Sequence, residues 1–284
     1  MSFARSLLAT PKMLRCPSGH IRACSSSVSL RQNLRFPGMM QTRRFSISAV
    51  RYSPGTPTES EEIEQEPNPA HVDSYLASKI LHPEYGADPT LEEGLTRARE
   101  DGLPEIQVSP LQGQMLSVLV KSMGAERVLE IGTLGGYSTS FLSKSLPPHG
   151  QIDTLELSPL HAKIAQENFL ASDLFPFPRI HVGKALGTLK KLKIPEEGPY
   201  DLVFIDANKD QSLEYFVECL RVLRKGGVVV VDNAIRVGRI HPDSKLDSTI
   251  EVQGLRALYD WIEADGGKTV LSSAVQTVGA KGWE

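Results

Sequence analysis

Residues 127–138, RVLEIGTLGGYS, join a short apolar run to a turn that contains three glycines. An apolar run of about five residues that is bounded by turn signals favours a buried β-strand. Glycines after a strand allow a tight turn into a following helix. The stretch therefore predicts a strand that passes directly into a helix, which is the repeating unit of a parallel α/β sheet.

Four more apolar runs follow, and helical periodicity separates them. The runs are QIDTLEL, RIHVG, YDLVFID and GGVVVVDN, at residues 151–157, 179–183, 200–206 and 226–233. This alternation predicts right-handed crossovers in an α/β fold, a Rossmann-like, doubly wound and mostly parallel sheet with helices on both faces. The unbroken apolar run Val228–Val231 predicts a central strand that is buried on both faces.

The sequence also predicts where the helices begin and end. They are expected at residues 71–81, 90–101, 109–123, 158–172 and 210–226. Ser109 and Ser158 are the expected N-caps of two of them, each followed by a proline at the first helical position. A glycine is expected to cap the end of the last one. Cys219 fits the buried side of that helix and is predicted to be a core residue.

The 284-residue chain has a net charge of −3, but its charge is distributed unevenly. Residues 1–51 contain eight arginines, one lysine and no acidic residue, a composition typical of a mitochondrial transit peptide. We expect residues 1–45 to be this peptide, with cleavage after Phe45, so that the import machinery delivers the protein to the mitochondrial matrix. The alternative is a basic tail that binds nucleic acid or anionic lipid.

Residues 46–70 are rich in proline and glutamate and are expected to form a disordered, acidic linker, with the folded domain at residues 71–284. No apolar run approaches the roughly 20 residues that a membrane-spanning helix requires, so no membrane insertion is expected. Only Cys219 follows the predicted peptide, which excludes a disulfide within one mature chain.

The first two predicted strands end in residues that suit a nucleoside cofactor. Gly132 and Gly136 have three residues between them, and Leu134 stands where a dinucleotide fingerprint requires glycine. With Glu130 ahead of the turn, this spacing suits S-adenosylmethionine (SAM), which has no phosphates but needs close backbone contact. Glu156, at the end of the second strand, is placed to accept both ribose hydroxyls of SAM or of a nicotinamide cofactor. The plainer interpretations are an ordinary turn and a solvated glutamate.

Oxygen-bearing side chains end the fourth and fifth strands. Asp206 ends one of them, and Asp232 and Asn233 end the next. Because adjacent parallel strands end at the same edge, these side chains can converge, and their hard oxygen ligands suit Mg²⁺ better than Zn²⁺. Lys209, three residues after Asp206, would be near that cation, which favours the neutral amine of a general base. The alternative is a set of polar caps for the following helices.

Together these residues resemble the cation-dependent O-methyltransferases, a class I methyltransferase family that includes caffeoyl-CoA and catechol O-methyltransferases. The resemblance is closest to the microbial or fungal type. It covers about residues 71–284 and rests on five motifs in order: VSPLQGQML, VLEIGTLGGYS, LELSP, YDLVFIDANKD and VVVDN. The resemblance implies in-line transfer of a methyl group from SAM to a hydroxyl of a small catechol-like or other vicinal-diol acceptor, in a homodimer.

The resemblance also implies roles for individual residues. Asp206, Asp232 and Asn233 would bind the divalent cation, which is expected to be Mg²⁺. Lys209 would be the catalytic base. Contacts with SAM would come from Val108, Glu130, Gly132, Thr133, Ser138, Glu156, Ala185 and Asp206.

The chain departs from the plant members at Val237, where they have a substrate-contacting asparagine, so caffeoyl-CoA is not the expected acceptor. The nearby Arg236, Arg239 and His241 either read an acidic group on the acceptor or form a solvated basic loop. Relatives continue beyond the VGAKGW region into a final strand, so we expect the last strand to be missing and the sheet to have an exposed edge.

Two other functions are considered. An NAD(P)-dependent oxidoreductase is opposed by Leu134 and by the absence of a Tyr-x-x-x-Lys pair in a suitable place. A SAM-binding protein with impaired catalysis is suggested by the missing strand. No nucleic-acid partner is expected for the folded domain.

Overall fold

The computed structural model describes residues 68–192, 198–245, 249–279 and 282–283. The predicted transit peptide, residues 1–45, and the predicted linker up to residue 67 lie outside the described residues. Within the described part of the chain, every helix is too short or too polar to cross a membrane.

Helices and strands alternate along the described chain after three leading helices. In order they are α1 (Pro69–Ile80), α2 (Pro89–Glu100), α3 (Pro110–Met123), β1 (Arg127–Ile131), α4 (Tyr137–Ser145), β2 (Gln151–Glu156), α5 (Pro159–Ala171), β3 (Arg179–Val182), α6 (Ala185–Leu189), β4 (Tyr200–Ile205), α7 (Ser212–Val222), β5 (Leu223–Val231), α8 (Ile250–Asp265), β6 (Val278–Gly279) and β7 (Gly282–Trp283). Short 3₁₀ turns lie at Lys209–Gln211 and Arg236–Gly238.

The main sheet has five parallel strands in the order β3-β2-β1-β4-β5. Val128 of β1 lies opposite Ile152 of β2 on one side and Leu202 of β4 on the other. Strand order reverses between β1 and β4, which is where ligands bind in sheets of this kind. The arrangement confirms the predicted doubly wound α/β fold. A separate antiparallel pair, β6 and β7, follows α8.

Each face of the sheet has its own hydrophobic core, because successive strand residues point to opposite faces. One face packs against α3 and α4 in a cluster that includes Val128 and Phe141. The other packs against α6 and α7 in a cluster that includes Leu129 and Cys219. Burial raises the pKa of the Cys219 thiol, so this residue is the core cysteine that the sequence predicts rather than a nucleophile.

The predicted place of β5 is wrong. Val228–Val231 are half-buried rather than fully buried, because β5 lies at the edge of the five-stranded sheet. The helix predicted over residues 210–226 is also too long, since α7 ends at Val222 and Leu223 already pairs with Tyr200 of β4. Gly226 therefore lies inside β5, next to a shift in the strand register, and does not cap the helix.

Both predicted N-caps are confirmed. Ser109 accepts a hydrogen bond from the Gln112 amide and forms a capping box ahead of Pro110, and Ser158 caps α5 ahead of Pro159. The first helix begins at Pro69, two residues ahead of the predicted domain boundary.

Candidate active site

The carboxyl edge of the sheet brings three predicted site residues into adjacent positions. The Gly132 amide donates to the last-but-one residue of β2 (2.9 Å to Leu155 O), and the Asp206 amide donates to Ile131 O of β1 (2.8 Å). The Asp232 amide donates to Ile205 O of β4 (3.0 Å). The turn at residues 132–136, called the cofactor turn below because the sequence predicts that SAM binds there, follows β1. The two predicted metal-binding carboxylates follow the neighbouring strands β4 and β5.

Gly132 lies against the backbone of Asp206. Its φ of 102° is in the region that favours glycine, and a Cβ atom there would lie 2.1 Å from the Asp206 carbonyl oxygen. No other residue fits without moving the start of the Asp206 segment. The turn continues through Leu134, whose φ of 49° is left-handed, and leads into α4.

Glu130 is fully buried behind this turn. Its carboxylate accepts hydrogen bonds from the hydroxyls of Ser138 (2.6 Å), Thr154 (2.6 Å) and Thr139. Burial raises the pKa of Glu130 to about 7, and the hydroxyl donors oppose that rise only in part. Glu130 and Ser138, both predicted SAM contacts, are therefore joined to each other by a direct hydrogen bond.

Glu156 at the end of β2 holds the cofactor turn. Its Oε2 atom accepts from the backbone amides of Thr133 (3.1 Å) and Leu134 (2.8 Å). Its Oε1 atom accepts from the Ser158 amide (2.9 Å) and lies 3.4 Å from Nδ1 of His161. A residue that was predicted to bind ribose is thus also the anchor of the turn around which the cofactor would bind.

Three other predicted SAM contacts have different surroundings. The Thr133 hydroxyl is 2.6 Å from the Thr154 hydroxyl. Val108 is buried in the core cluster against α3 and α4, and Ala185 is the half-buried first residue of α6. Val108 and Ala185 therefore offer backbone and small apolar surface rather than polar groups.

Lys209 is buried beside the predicted metal end. Only 5% of its side chain is exposed, and its amine donates to Oδ1 of Asp206 at 3.0 Å. The amine thus lies beside one predicted metal ligand, and its role as the base stays a prediction. Tyr215 of α7 donates to Asn208 Oδ1 at 2.8 Å and helps to hold the same segment.

The residues after β4 and β5 fit a hard divalent cation by their donor chemistry. Asp206 and Asp232 provide carboxylates, and Asn233 provides an amide oxygen directly after β5. Asn233 has a φ of 50°, a conformation that asparagine adopts more readily than most residues, and it turns the chain at this point. In the described ranges no three His, Cys, Asp or Glu side chains form a metal cluster, and the predicted set has only two residues of these types.

Several residues that support the site belong to no recognisable sequence motif. Asn168 of α5 donates to Gly135 O of the cofactor turn (2.8 Å) and accepts from Arg97 of α2. Thr154 lies opposite Glu130 in the β1–β2 register. A polar residue inside each of two apolar strands is the one sequence feature that could have indicated this contact. Arg236 is paired with Glu251 of α8, so it is not part of a purely solvated loop.

The chain belongs to the O-methyltransferase family, whose model matches residues 84–266. It is 41% identical over 222 residues to the catechol O-methyltransferase of Mycobacterium tuberculosis, which covers 78% of this chain and 96% of that protein. The structure of the O-methyltransferase from Bacillus cereus in complex with S-adenosylhomocysteine (SAH) matches with a TM-score of 0.70 and 38% identity, covering 76% and 94% of the two chains. TomG from Streptomyces achromogenes, in complex with SAM, matches with a TM-score of 0.68 and 35% identity, covering 79% and 96%.

These matches confirm the predicted resemblance, the class I methyltransferase fold and the predicted enzyme class, a SAM-dependent O-methyltransferase. The oxidoreductase alternative is therefore wrong.

Proposed function

We propose that the protein transfers the methyl group of SAM to one hydroxyl of a small catechol-like or other vicinal-diol acceptor, with a divalent cation, Mg²⁺, at the ends of β4 and β5. The observation that carries this proposal is the sheet edge at which Gly132, Asp206 and Asp232 follow three adjacent strands. A methyl donor and a hydroxyl acceptor must lie side by side, and this edge offers neighbouring positions for both.

Residues of β1 and β2 would hold SAM. Glu156 presents a carboxylate next to the turn amides, where it would accept the ribose hydroxyls. Glu130 orients the Ser138 hydroxyl, and Gly132 lets the backbone approach the cofactor closely. The proposed contacts of Val108, Thr133 and Ala185 complete the cofactor set.

Asp206, Asp232 and Asn233 would hold the cation. Their two negative charges and one neutral oxygen suit a hard divalent ion that keeps further positions open. When bound, the cation would make the acceptor hydroxyl more acidic and orient it.

Lys209 would remove the proton of that hydroxyl. Its amine is buried and bonded to Asp206, so Nζ lies beside a residue that would hold the cation and, through it, the acceptor. The acceptor oxygen would attack the methyl carbon as the carbon–sulfur bond breaks, the sulfonium would become a thioether, and the proton would go to Nζ. Most of the rate gain would come from alignment of the reacting atoms.

The test is methyl transfer from SAM to a panel of vicinal diols by the full chain, with Mg²⁺ and with EDTA. Wild-type protein, Asp206→Ala and the exposed α8 control Asp260→Ala are compared. We expect EDTA and Asp206→Ala each to reduce transfer by at least about 100-fold, because both remove the alignment of the acceptor. Asp260→Ala is expected to retain wild-type activity.

Metal-independent transfer, or full activity of Asp206→Ala, would contradict the proposed mechanism. SAM binding by folded protein without transfer to any diol would favour the alternative, a SAM-binding protein with impaired catalysis. The half-buried edge strand β5 is the observation that keeps this alternative in view.

Two further parts of the proposal concern assembly and location. We propose a homodimer, supported by exposed apolar side chains on α1 and α3, among them Tyr75, Ile80, Met115 and Val118. A monomer in sedimentation at micromolar concentration would contradict it.

We also propose import into the mitochondrial matrix, which predicts a mature N-terminus at Ser46.

A further inference from the structure

We propose that α8 positions the metal end of the site. In this inference Gly254 sets the place of Lys209, and Tyr259 sets the loop that follows Asn233. The inference rests on the proposed function, because it concerns how the proposed base and one proposed metal ligand are held.

Gly254 allows α8 to touch the backbone of the Lys209 segment. A Cβ atom at Gly254 would lie 2.3 Å from the Lys209 carbonyl oxygen and 2.7 Å from Asp210 Cα. Glycine inside a helix is less favourable than alanine, so this position gains from glycine only through the close approach it permits. The same carbonyl accepts a hydrogen bond from the Ser212 hydroxyl at 2.8 Å. The Lys209 backbone is therefore held between the start of α7 and the second turn of α8.

The backbone of Lys209 controls where its amine lies. The side chain is buried and its amine is bonded to Asp206, so both ends of the side chain are held. A shift of the Lys209 backbone must move the amine or break that contact. Gly254 is thus a positioning residue that acts through Lys209.

Three side chains of α8 hold the loop after β5. The Tyr259 hydroxyl donates to Ala234 O at 3.0 Å, immediately after Asn233. Arg256 donates to the carbonyls of Ile240 and His241, each at 3.1 Å. Glu251 accepts from Arg236.

The backbone of this loop needs such support. Three of its residues other than glycine have positive φ values, at 50°, 45° and 55°: Asn233, Arg236 and Val237. Left-handed backbone persists where surrounding contacts over-determine it, and a β-branched residue in that region is unusual. Asn233 also has local hydrogen bonds, since its amide donates to Oδ1 of Asp232 (2.7 Å) and its carbonyl oxygen accepts from the Arg236 amide (3.2 Å). The contact from Tyr259 to the next residue, Ala234, adds the restraint that comes from α8.

These contacts are separate from the cofactor end. The hydrogen bonds of Glu156 come from the turn after β1 and from the start of α5, not from α8. Substitutions in α8 should therefore lower the metal affinity and the rate of the chemical step while SAM affinity is retained. A general loss of folding would reduce all three together.

The experiment compares the full wild-type chain with Gly254→Ala, Tyr259→Phe and Asp260→Asn, a control that neutralises an exposed carboxylate on α8. Three quantities are measured: SAM affinity, Mn²⁺ affinity without acceptor, and kcat at saturating substrates. We expect Gly254→Ala to reduce kcat at least about 10-fold through displacement of the amine. Tyr259→Phe should weaken Mn²⁺ binding about 2- to 10-fold through loss of one hydrogen bond.

SAM affinity should stay within about 2-fold of wild type in Gly254→Ala and Tyr259→Phe, and Asp260→Asn should match wild type throughout. Should Gly254→Ala fail to fold, Tyr259→Phe decides the matter alone. Two results would overturn the inference: a Tyr259→Phe variant with the Mn²⁺ affinity and kcat of wild type, or a variant that loses SAM affinity and Mn²⁺ affinity equally. In either case an active wild-type protein would leave the proposed function standing. A wild type that neither binds Mn²⁺ nor transfers methyl would overturn both.

Discussion

Glu156→Gln separates two roles of one carboxylate. In the structure this side chain anchors the cofactor turn through the amides of Thr133 and Leu134 and also accepts from the Ser158 amide. The proposed function gives it a second role as the acceptor of the ribose hydroxyls. Glutamine keeps one acceptor oxygen and replaces the other with an amide group that cannot accept. At least one backbone N–H group, buried or partly buried, then loses its partner.

The expected size of each effect follows from that loss. A buried donor without a partner costs about 1–3 kcal/mol of unfolding free energy. For a domain of roughly 200 residues this lowers Tm by about 2–12 °C. Loss of charge-assisted hydrogen bonds to the ribose, at about 1.5–3 kcal/mol, should raise the Kd for SAM about 10- to 150-fold. Thermal unfolding without cofactor and calorimetric titration with SAM measure the two effects separately.

Glu167→Gln is the matched control, because this glutamate is exposed on α5 and forms a helical ion pair with Lys163. It should leave Tm and SAM affinity near wild type. An unchanged Tm in Glu156→Gln would refute the anchoring role. A lowered Tm with unchanged SAM affinity would refute the ribose role and leave Glu156 as a purely structural residue.

Three more predictions concern the same edge of the sheet. Gly132→Ala places a methyl group 2.1 Å from the Asp206 carbonyl oxygen, so it should reduce methyl transfer by about 100-fold or more; wild-type kcat would contradict this. Glu130→Gln removes a carboxyl group. Burial raises the pKa of this group from 4.5 to about 7, so between these pH values the folded state binds a proton that the unfolded state does not. The unfolding free energy of wild type therefore falls as pH rises through that interval. The unfolding free energy of the variant minus that of wild type should therefore rise by about 3 kcal/mol from pH 4.5 to roughly pH 8 in urea titrations, and a flat difference would count against a buried charge. Asn168→Ala removes the 2.8 Å hydrogen bond to Gly135 O, so it should raise the Kd for SAM about 3- to 10-fold, and an unchanged titration would show that the turn holds without it.

The strand-end residues could be found from the sequence because a parallel sheet places all its carboxyl ends at one edge. That rule needs only the alternation of strands and helices, which local composition reveals. It predicts that Gly132, Asp206 and Asp232 lie at one edge, and the backbone hydrogen bonds show that their strands are neighbours. Strand order is different, because it depends on which strands pair. An unbroken run such as Val228–Val231 has the same composition in a central strand and at an edge, and here it lies at the edge.

The supporting residues were missed for a related physical reason. Asn168, Gly254 and Tyr259 act on backbone atoms of segments that are distant in sequence, and a carbonyl oxygen has no side-chain signature. Arg236 was ambiguous because its partner, Glu251, lies on the other side of a long loop. Chemistry that depends on side-chain type is visible in sequence, whereas positioning that depends on backbone approach needs the fold.

The spacing of the sheet has a consequence for the order in which the site must be built. Gly132, Asp206 and Asp232 follow β1, β4 and β5, so the cofactor turn and the far carboxylate are two strand spacings apart, on the order of 10 Å. Asp206 lies between them: its carbonyl oxygen is against Gly132, and the residue before it, Ile205, accepts from the Asp232 amide. A displacement of Asp206 would therefore change the cofactor turn and the proposed metal end together. Of the two ends of the site, Glu156 contacts only the cofactor end and α8 contacts only the proposed metal end, among the residues that the structure describes. Variants at Glu156 should therefore change mainly SAM affinity, and variants in α8 mainly metal affinity and kcat. Variants at Asp206 or Gly132 should change all of these together.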